Sequence, residues 1–304
     1  MTSRYLPVPD ALEGERIDLA LTRMLGLSRT AAATLIGEGH VRINGIPCQK
    51  SDKLSLSDII EVETPEIETA PAPIVGMDIL YDDEDVVVVN KPVGVAAHTG
   101  PGWDGPTVLG SLEAGGYRIS TSGPPERQGI VHRLDVGTSG AMAVAKSELA
   151  YTKLKYAFKH RQVGKTYHAV VSAHPDPARG TIDAPIGRHP SKEWRMSVLA
   201  SGRRAITHYR TLELLPGAAL VEVELETGRT HQIRVHFAHL AMPCVGDVFY
   251  GADSDQAQRL GLQRQWLHAT ELRFQHPRTG IPTTVKAPYS QDLETALEIL
   301  RECR

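Results

Sequence analysis

Apolar residues at Ile17, Ala20, Leu21, Met24 and Leu25 follow the i, i+3, i+4, i+7, i+8 spacing of one helical stripe, predicting a helix over residues 16–25. Gly26 ends it, and Ser28 is placed to cap a second short helix through Ala31, Ala32, Leu35 and Ile36, closed by Gly37 and Gly39. The period then shortens. Val41 to Ile46 reads as a hairpin, because Asn44-Gly45 accepts the positive φ angles of a tight turn, and Ile59 to Val62 is a further strand. The acidic stretch 63–76, with Pro65, Pro71 and Pro73, reads as a linker. The pattern therefore predicts a small module over 13–62, a linker over 63–76 and a large domain over 77–304.

In the large domain, Ile79 to Tyr81 and Val86 to Val89 read as strands around the acidic turn Asp82 to Asp85. Residues 98–129 are rich in Gly, Pro and Ser and read as a long loop, with one helical turn near Thr107 to Leu112. Ile130 and Val131 look like the end of a buried strand, and Met142, Val144 and Ala145 like the next one. A helix is expected over 148–160 and alternating strands over 165–171 and 220–225. Residues 183–189 and 195–210 read as loop and hairpin material, with a strand at Thr207 to Arg210. The expected class is α+β, with a mixed, mainly antiparallel sheet flanked by helices and loops.

Composition describes an ordinary folded chain, 41% hydrophobic and 23% charged over 304 residues. No apolar run reaches membrane-spanning length, and residues 1–15 lack the basic start and apolar core of a secretory signal. Cys48, Cys244 and Cys303 are scattered, without zinc spacing and odd in number, which favours the cytoplasm. The net charge of −3 argues weakly against a polyanionic partner, but the charge is segregated. Ten acids and no Lys or Arg lie between Leu54 and Asn90, whereas Lys146, Lys153, Lys155, Lys159, Arg161 and Lys165 face only Glu148. The local field, not the average, decides docking, so nucleic acid stays open.

Two dense polar clusters interrupt the apolar pattern. In the first, His132, Arg133 and Asp135 crowd a short turn between apolar segments, which presents a carboxylate better than it packs a core. Capping of the turn by Asp135 and Thr138 is the plainer alternative. The second cluster runs from Glu226 to His236. His231, His236 and His239 have no Cys or carboxylate at matching spacing, so no metal is expected, and no phosphate-binding Gly loop points to a cofactor.

The stretch Gly129-Ile-Val-His-Arg-Leu-Asp-Val-Gly-Thr-Ser-Gly140 resembles the His-Arg-Leu-Asp-x-x-Thr-Ser-Gly signature of the RluA-type pseudouridine synthases, which isomerise uridine in structured RNA. Further motifs follow in that family's order: Lys91-Pro-Val-Gly94, Lys165-Thr-Tyr167, Thr227-Gly-Arg-Thr-His-Gln-Ile-Arg234 and Gly246-Asp-Val-Phe-Tyr-Gly251. The N-terminal module, with Ser28-Arg29 and Gly39-His-Val-Arg-Ile-Asn-Gly45, resembles the S4 RNA-binding domain. The resemblance spans roughly residues 13–288. Val136-Gly137 and Ala141 depart from the usual residues without touching the chemistry.

The resemblance implies that Asp135 is the catalytic carboxylate, a nucleophile at C1′ or a base in an elimination to a glycal, with Arg234 as its ion-pair partner and Arg229 as the alternative. Tyr167 matches the active-site tyrosine that stacks on an extruded base. Arg133 matches the residue that fills the vacated stack, and His132 fixes the turn. Ile233 and Leu267 pack around the base, and Lys91 is chiefly architectural with phosphate contact secondary. Arg29 and Arg42 would touch phosphates, with Lys50 and Lys53 nearby. The expected substrate is large-subunit ribosomal RNA, ahead of transfer RNA, with no cofactor or membrane and a monomer as the default. A non-catalytic ribosome-assembly factor has no use for Asp135, Tyr167 and Arg234 together. A glycosidase would need paired acids flanking a cleft, which are not evident.

Overall fold

The two N-terminal apolar stripes become helices α1 (Ile17–Leu25) and α2 (Arg29–Gly37) in a computed structural model that describes residues 2–25, 27, 29–64, 73–100 and 102–302. The chain forms two units, residues 1–70 and 71–304. Ile17, Ala20, Leu21, Ala32 and Ile36 of the helices share one core with Val41, Leu54, Ile60 and Val62. A four-stranded antiparallel sheet, in the order β1-β4-β2-β3, supplies the other side: β1 (Thr2–Pro7), β2 (Val41–Ile43), β3 (Ile46–Pro47) and β4 (Ile59–Thr64). Asn44 and Gly45 turn the β2–β3 hairpin at φ 52° and 79°, as their residue types predict. Strand β1 was not expected; it pairs along the whole of β4, so this unit carries a strand before residue 13. Gly26, Ser28 and linker residues 65–72 lie outside the described residues.

The second unit is organised by a nine-stranded sheet in the order β5-β6-β7-β14-β8-β13-β12-β9, with β15 paired to β14. Its strands are β5 (Asp78–Asp82), β6 (Val86–Lys91), β7 (Ser139–Ala145), β8 (Gly164–Val171), β9 (Arg179–Asp183), β12 (Ile206–Leu215), β13 (Ala218–Leu225), β14 (Leu267–Gln275) and β15 (Pro282–Lys286). A separate hairpin joins β10 (Ile186–His189) to β11 (Lys192–Val198). Every pairing in the large sheet is antiparallel except β7 with β14, so the expected mixed, mainly antiparallel sheet is present. Helices α3 (Val108–Ala114) and α5 (Gln232–His239) contribute Val108, Leu112, Ile233 and Phe237 to the core on one face. Helices α4 (Glu148–Lys159) and α7 (Gln291–Glu302) join cores that hold Ala143 and Val170 from the neighbouring, oppositely directed residues. Helix α6 (Ser254–Arg259) is a short connector. Thr107 and Ser147 cap α3 and α4 by accepting from Gly110 N and Ala150 N.

The strand expected at Ile130 and Val131 is absent. Ile130 makes one isolated bridge to Val144, and Val131 is buried without a ladder. Strand β14 pairs with β7 only at Ser139 and Gly140, and on the rest of that edge Ala145 N donates to Gly129 O while Ala143 N donates to the His132 ring, so no ladder extends beyond the Val144 bridge. The polar run after Thr230 forms helix α5, and Gln232, Arg234 and His236 on it are buried. No helix among the described residues is long and apolar enough to cross a membrane.

Candidate active site

The Asp135 turn is closed by its own backbone and clamped by two other segments, 91–94 and 264–265. Thr138 N donates to Asp135 O at 3.0 Å, and Gly94 N donates to Val136 O at 2.9 Å. Arg264 Nη1 donates to Gly137 O at 3.2 Å, and Gln265 Nε2 to Thr138 Oγ1 at 3.2 Å. Lys91, fully buried at the end of β6, donates from Nζ to Pro92 O (2.9 Å), Val95 O (2.7 Å) and Val136 O (3.4 Å). Burial pushes its ammonium down to about 7, against the pull of the Asp135 charge. With no exposed surface, Lys91 holds the turn and cannot reach a phosphate, so only its architectural role stands. Just downstream, a Cβ on Gly140 would lie 2.3 Å from Ala269 O, and its φ is +117°, so only glycine lets β7 approach β14 here.

His132 also faces inward. Its Nε2 accepts from Ala143 N at 3.0 Å, and its ring stacks on Phe158 at 4.4 Å. Burial, with Lys165 and Lys155 nearby, pushes its pKa down to about 3, so the ring is neutral and fixes the turn. Arg133 alternates outward and is exposed.

Asp135 opens into a cleft of about 550 Å³, counted to its mouth, and Arg133, Tyr167, Arg229, Ile233, Arg234 and Leu267 all line it. Strands β8, β13 and β14 set its floor. Tyr167 lies opposite Val223 and Ala269, whose small side chains leave room over the ring. Burial, then the Asp135 charge, pushes the Tyr167 phenol well above its ordinary range, which favours its neutral form. Arg229 is half-buried, its Nε donating to Arg204 O at 3.0 Å.

The wall opposite is α5, which begins at His231 in the left-handed conformation, φ 56°. A buried polar chain anchors it. Gln232 Oε1 accepts from Thr227 Oγ1 (2.7 Å) and Arg229 N (3.0 Å), and Gln232 Nε2 donates to Ile206 O (2.9 Å) and Thr207 Oγ1 (3.0 Å). His236 bonds Thr207 Oγ1 and Ala184 O with its two ring nitrogens, and His231 Nδ1 bonds Tyr250 OH.

Arg234 does not pair with Asp135. Its fork grips Asp247, Nε to Oδ2 at 2.6 Å and Nη2 to Oδ1 at 2.8 Å, with side-chain exposures of 9% and 1%. Its guanidinium also lies 4.8 Å from the Tyr250 ring centroid. Burial disfavours this cation, but Asp247, with Asp135 adding, raises its pKa overall. Arg234 thus spends its Nε and Nη2 donors on Asp247 and makes no ion pair with Asp135. Asp247 was not singled out from sequence; its place inside the Gly246–Gly251 motif was the available signal. Among the described residues the Asp135 carboxylate itself takes no hydrogen bond or ion pair. In the other unit, Arg29 is exposed at the start of α2, and Arg42 is half-exposed on β2, its Nη1 3.7 Å from Glu63 Oε1.

A turn-mounted carboxylate thus shares one cleft with a buried tyrosine and a braced arginine. A profile of the RNA pseudouridylate synthase family matches residues 85–239, and one of the S4 domain matches residues 15–60. The chain belongs to the RNA pseudouridylate synthase family and carries an N-terminal S4 domain. It is 59% identical to an uncharacterized RNA pseudouridine synthase of Mycobacterium bovis, with 99% of each chain covered. It is 38% identical to ribosomal large subunit pseudouridine synthase D of Escherichia coli K12, covering 95% of this chain and 91% of that one. Among solved structures, human RNA pseudouridylate synthase domain containing 1 aligns over 76% of this chain and 97% of that one, at TM-score 0.57 and 28% identity.

Proposed function

We propose that this RNA pseudouridine synthase acts on large-subunit ribosomal RNA with Asp135 as its catalytic carboxylate. The observation that carries the reading is the Asp135 side chain, clamped at its backbone and unpartnered at its carboxylate, at the bottom of a base-sized cleft. The reaction breaks the N1–C1′ bond, turns the freed uracil and joins C5 to C1′. The C5 proton leaves and N1 gains one, so no net redox change occurs. Asp135 meets the sugar as nucleophile or base, and either role needs an ionised oxygen free of a tight partner. Arg234 lines the same cleft, braced by Asp247. Tyr167 provides the flat face on which the extruded base stacks, and Ile233 and Leu267 close the apolar sides. Arg133 at the mouth is positioned to occupy the space the base leaves. The ribosomal assignment is supported by the likeness to the ribosomal large subunit pseudouridine synthase D of Escherichia coli, and the S4 domain, with Arg29 and Arg42, adds a second RNA-binding element.

Pseudouridine mapping of ribosomal and transfer RNA in cells lacking the gene tests the proposal. Large-subunit sites should vanish and return with wild type but not with Asp135→Ala. Loss confined to transfer RNA moves the substrate, and restoration by Asp135→Ala removes Asp135 from the chemistry.

A further inference from the structure

A second cavity, of about 920 Å³ counted to its mouth, lies beside the Asp135 cleft. Arg133, Tyr167, Leu225, Gly228 and Arg229 line both, so the two share a wall. The second cavity is strongly cationic. Arg133, Lys159, Arg161, Lys165 and Arg229 face one carboxylate, Glu226. That carboxylate is already engaged by Arg161 at 3.6 Å and by His208 at 2.9 Å.

Lys165 is the unusual member. It lies two residues before Tyr167 on β8, hence on the same sheet face about 7 Å away. Its ammonium sits against the loop after β13, where a Cβ on Gly228 would lie 4.0 Å from Nζ. The side chain is half-buried, yet among the described residues it makes no hydrogen bond or ion pair. Burial, then the Arg161 charge, lowers its pKa. A cation that is partly desolvated without a partner costs free energy, which an arriving anion offsets.

We propose that this cavity is a phosphate subsite, in which Lys165, with Lys159 and Arg161 at its rim, binds the phosphodiester next to the uridine held at Asp135. The inference rests on the RNA reading above. The shared wall is the argument for a nucleotide backbone: Tyr167 and Leu225 line both the Asp135 cleft, which takes the base, and the cationic cavity beside it, so one extruded nucleotide and its phosphate fill both. A phosphate contact of this kind fixes register without reading sequence.

Lys165→Gln removes the charge and Lys165→Arg keeps it. Binding of full-length protein to a large-subunit ribosomal RNA transcript is measured across salt concentrations. Lys165→Gln is expected to flatten the slope of log K against log salt by about 0.7–0.9, and Lys165→Arg to leave it unchanged. Turnover of that RNA is expected to show KM raised roughly tenfold with kcat nearly constant. Equal slopes for wild type and Lys165→Gln overturn the subsite, whether or not the RNA is turned over. A fall in kcat without a change in KM also overturns it, since Lys165 then serves the chemistry. Wild type that binds this RNA without turning it over counts against the substrate assignment alone. Should Lys165→Gln lower the melting temperature, Lys159→Gln is read by the same slope criterion.

Discussion

Asp247→Asn keeps the shape of the side chain under α5 and removes its charge, leaving the Arg234 guanidinium buried without a counter-ion. The pair is bidentate, at 2.6 and 2.8 Å, with 9% and 1% of the two side chains exposed, so water cannot replace the lost partner. Breaking one side of such a pair costs about 3–5 kcal/mol. For a unit of this size, 3 kcal/mol corresponds to a fall in melting temperature of roughly 6–12 °C. Arg234→Met should cost a similar amount by stranding Asp247. The double variant should lose about 2 kcal/mol less than the sum, because it strands neither charge. Thermal unfolding of the three variants, followed by circular dichroism, measures all the terms. Asp247→Asn that melts within 2 °C of wild type, or strict additivity in the double variant, refutes the pairing as the support of α5.

Asp83 yields a pH prediction. Despite burial, hydrogen bonds from Tyr81, Val86 N, Asp85 N and His276 hold its carboxyl at about 2. The folded value lies below the unfolded one, so its stabilisation, of order 2 kcal/mol, is present above pH ~4 and lost as pH falls towards 2. Asp83→Asn should be less stable at neutral pH and show a shallower acid limb, and an acid limb parallel to wild type would count against it. For Tyr167, stacking predicts that Tyr167→Phe retains most single-turnover rate on the mapped RNA while Tyr167→Ala loses at least tenfold, since base–aromatic stacking is worth ~1–3 kcal/mol. A Phe variant as impaired as Ala would assign the work to the hydroxyl.

What was legible in the chain was what local chemistry determines. Helices α1 and α2 followed from spacing, the β2–β3 turn from Asn44-Gly45, and the polar turn at Asp135 from charge crowded between apolar residues. Asp135, Tyr167, Arg229, Ile233, Arg234 and Leu267, singled out from dispersed motifs, do line one cleft. The partner of Arg234 was not legible, because Asp247 reaches it only where the chain turns at Gly246, whose Cβ would lie 2.2 Å from Arg264 O. Helix α5 defeats a periodicity reading, since residues 232–237 are all buried and Gln232, Arg234 and His236 among them are satisfied by the distant Thr207, Asp247 and Ala184. Nothing hid α7 in the same way: Leu293, Ala296, Leu297 and Leu300 have ordinary amphipathic spacing.

The clamps on the Asp135 turn bear on the order of assembly. Residues 85–239, which match the family profile, contain Asp135, Tyr167 and Arg234 but not Arg264, Gln265 or the strand that receives Gly140. These contacts span more than a hundred positions, and contacts that distant form late because their loop entropy must be met first. A chain that ended at residue 239 would keep the bonds to the turn from Lys91 and Gly94 and lose those from Arg264 and Gln265. The Asp135 turn is thus fully braced only once the last strands are in place.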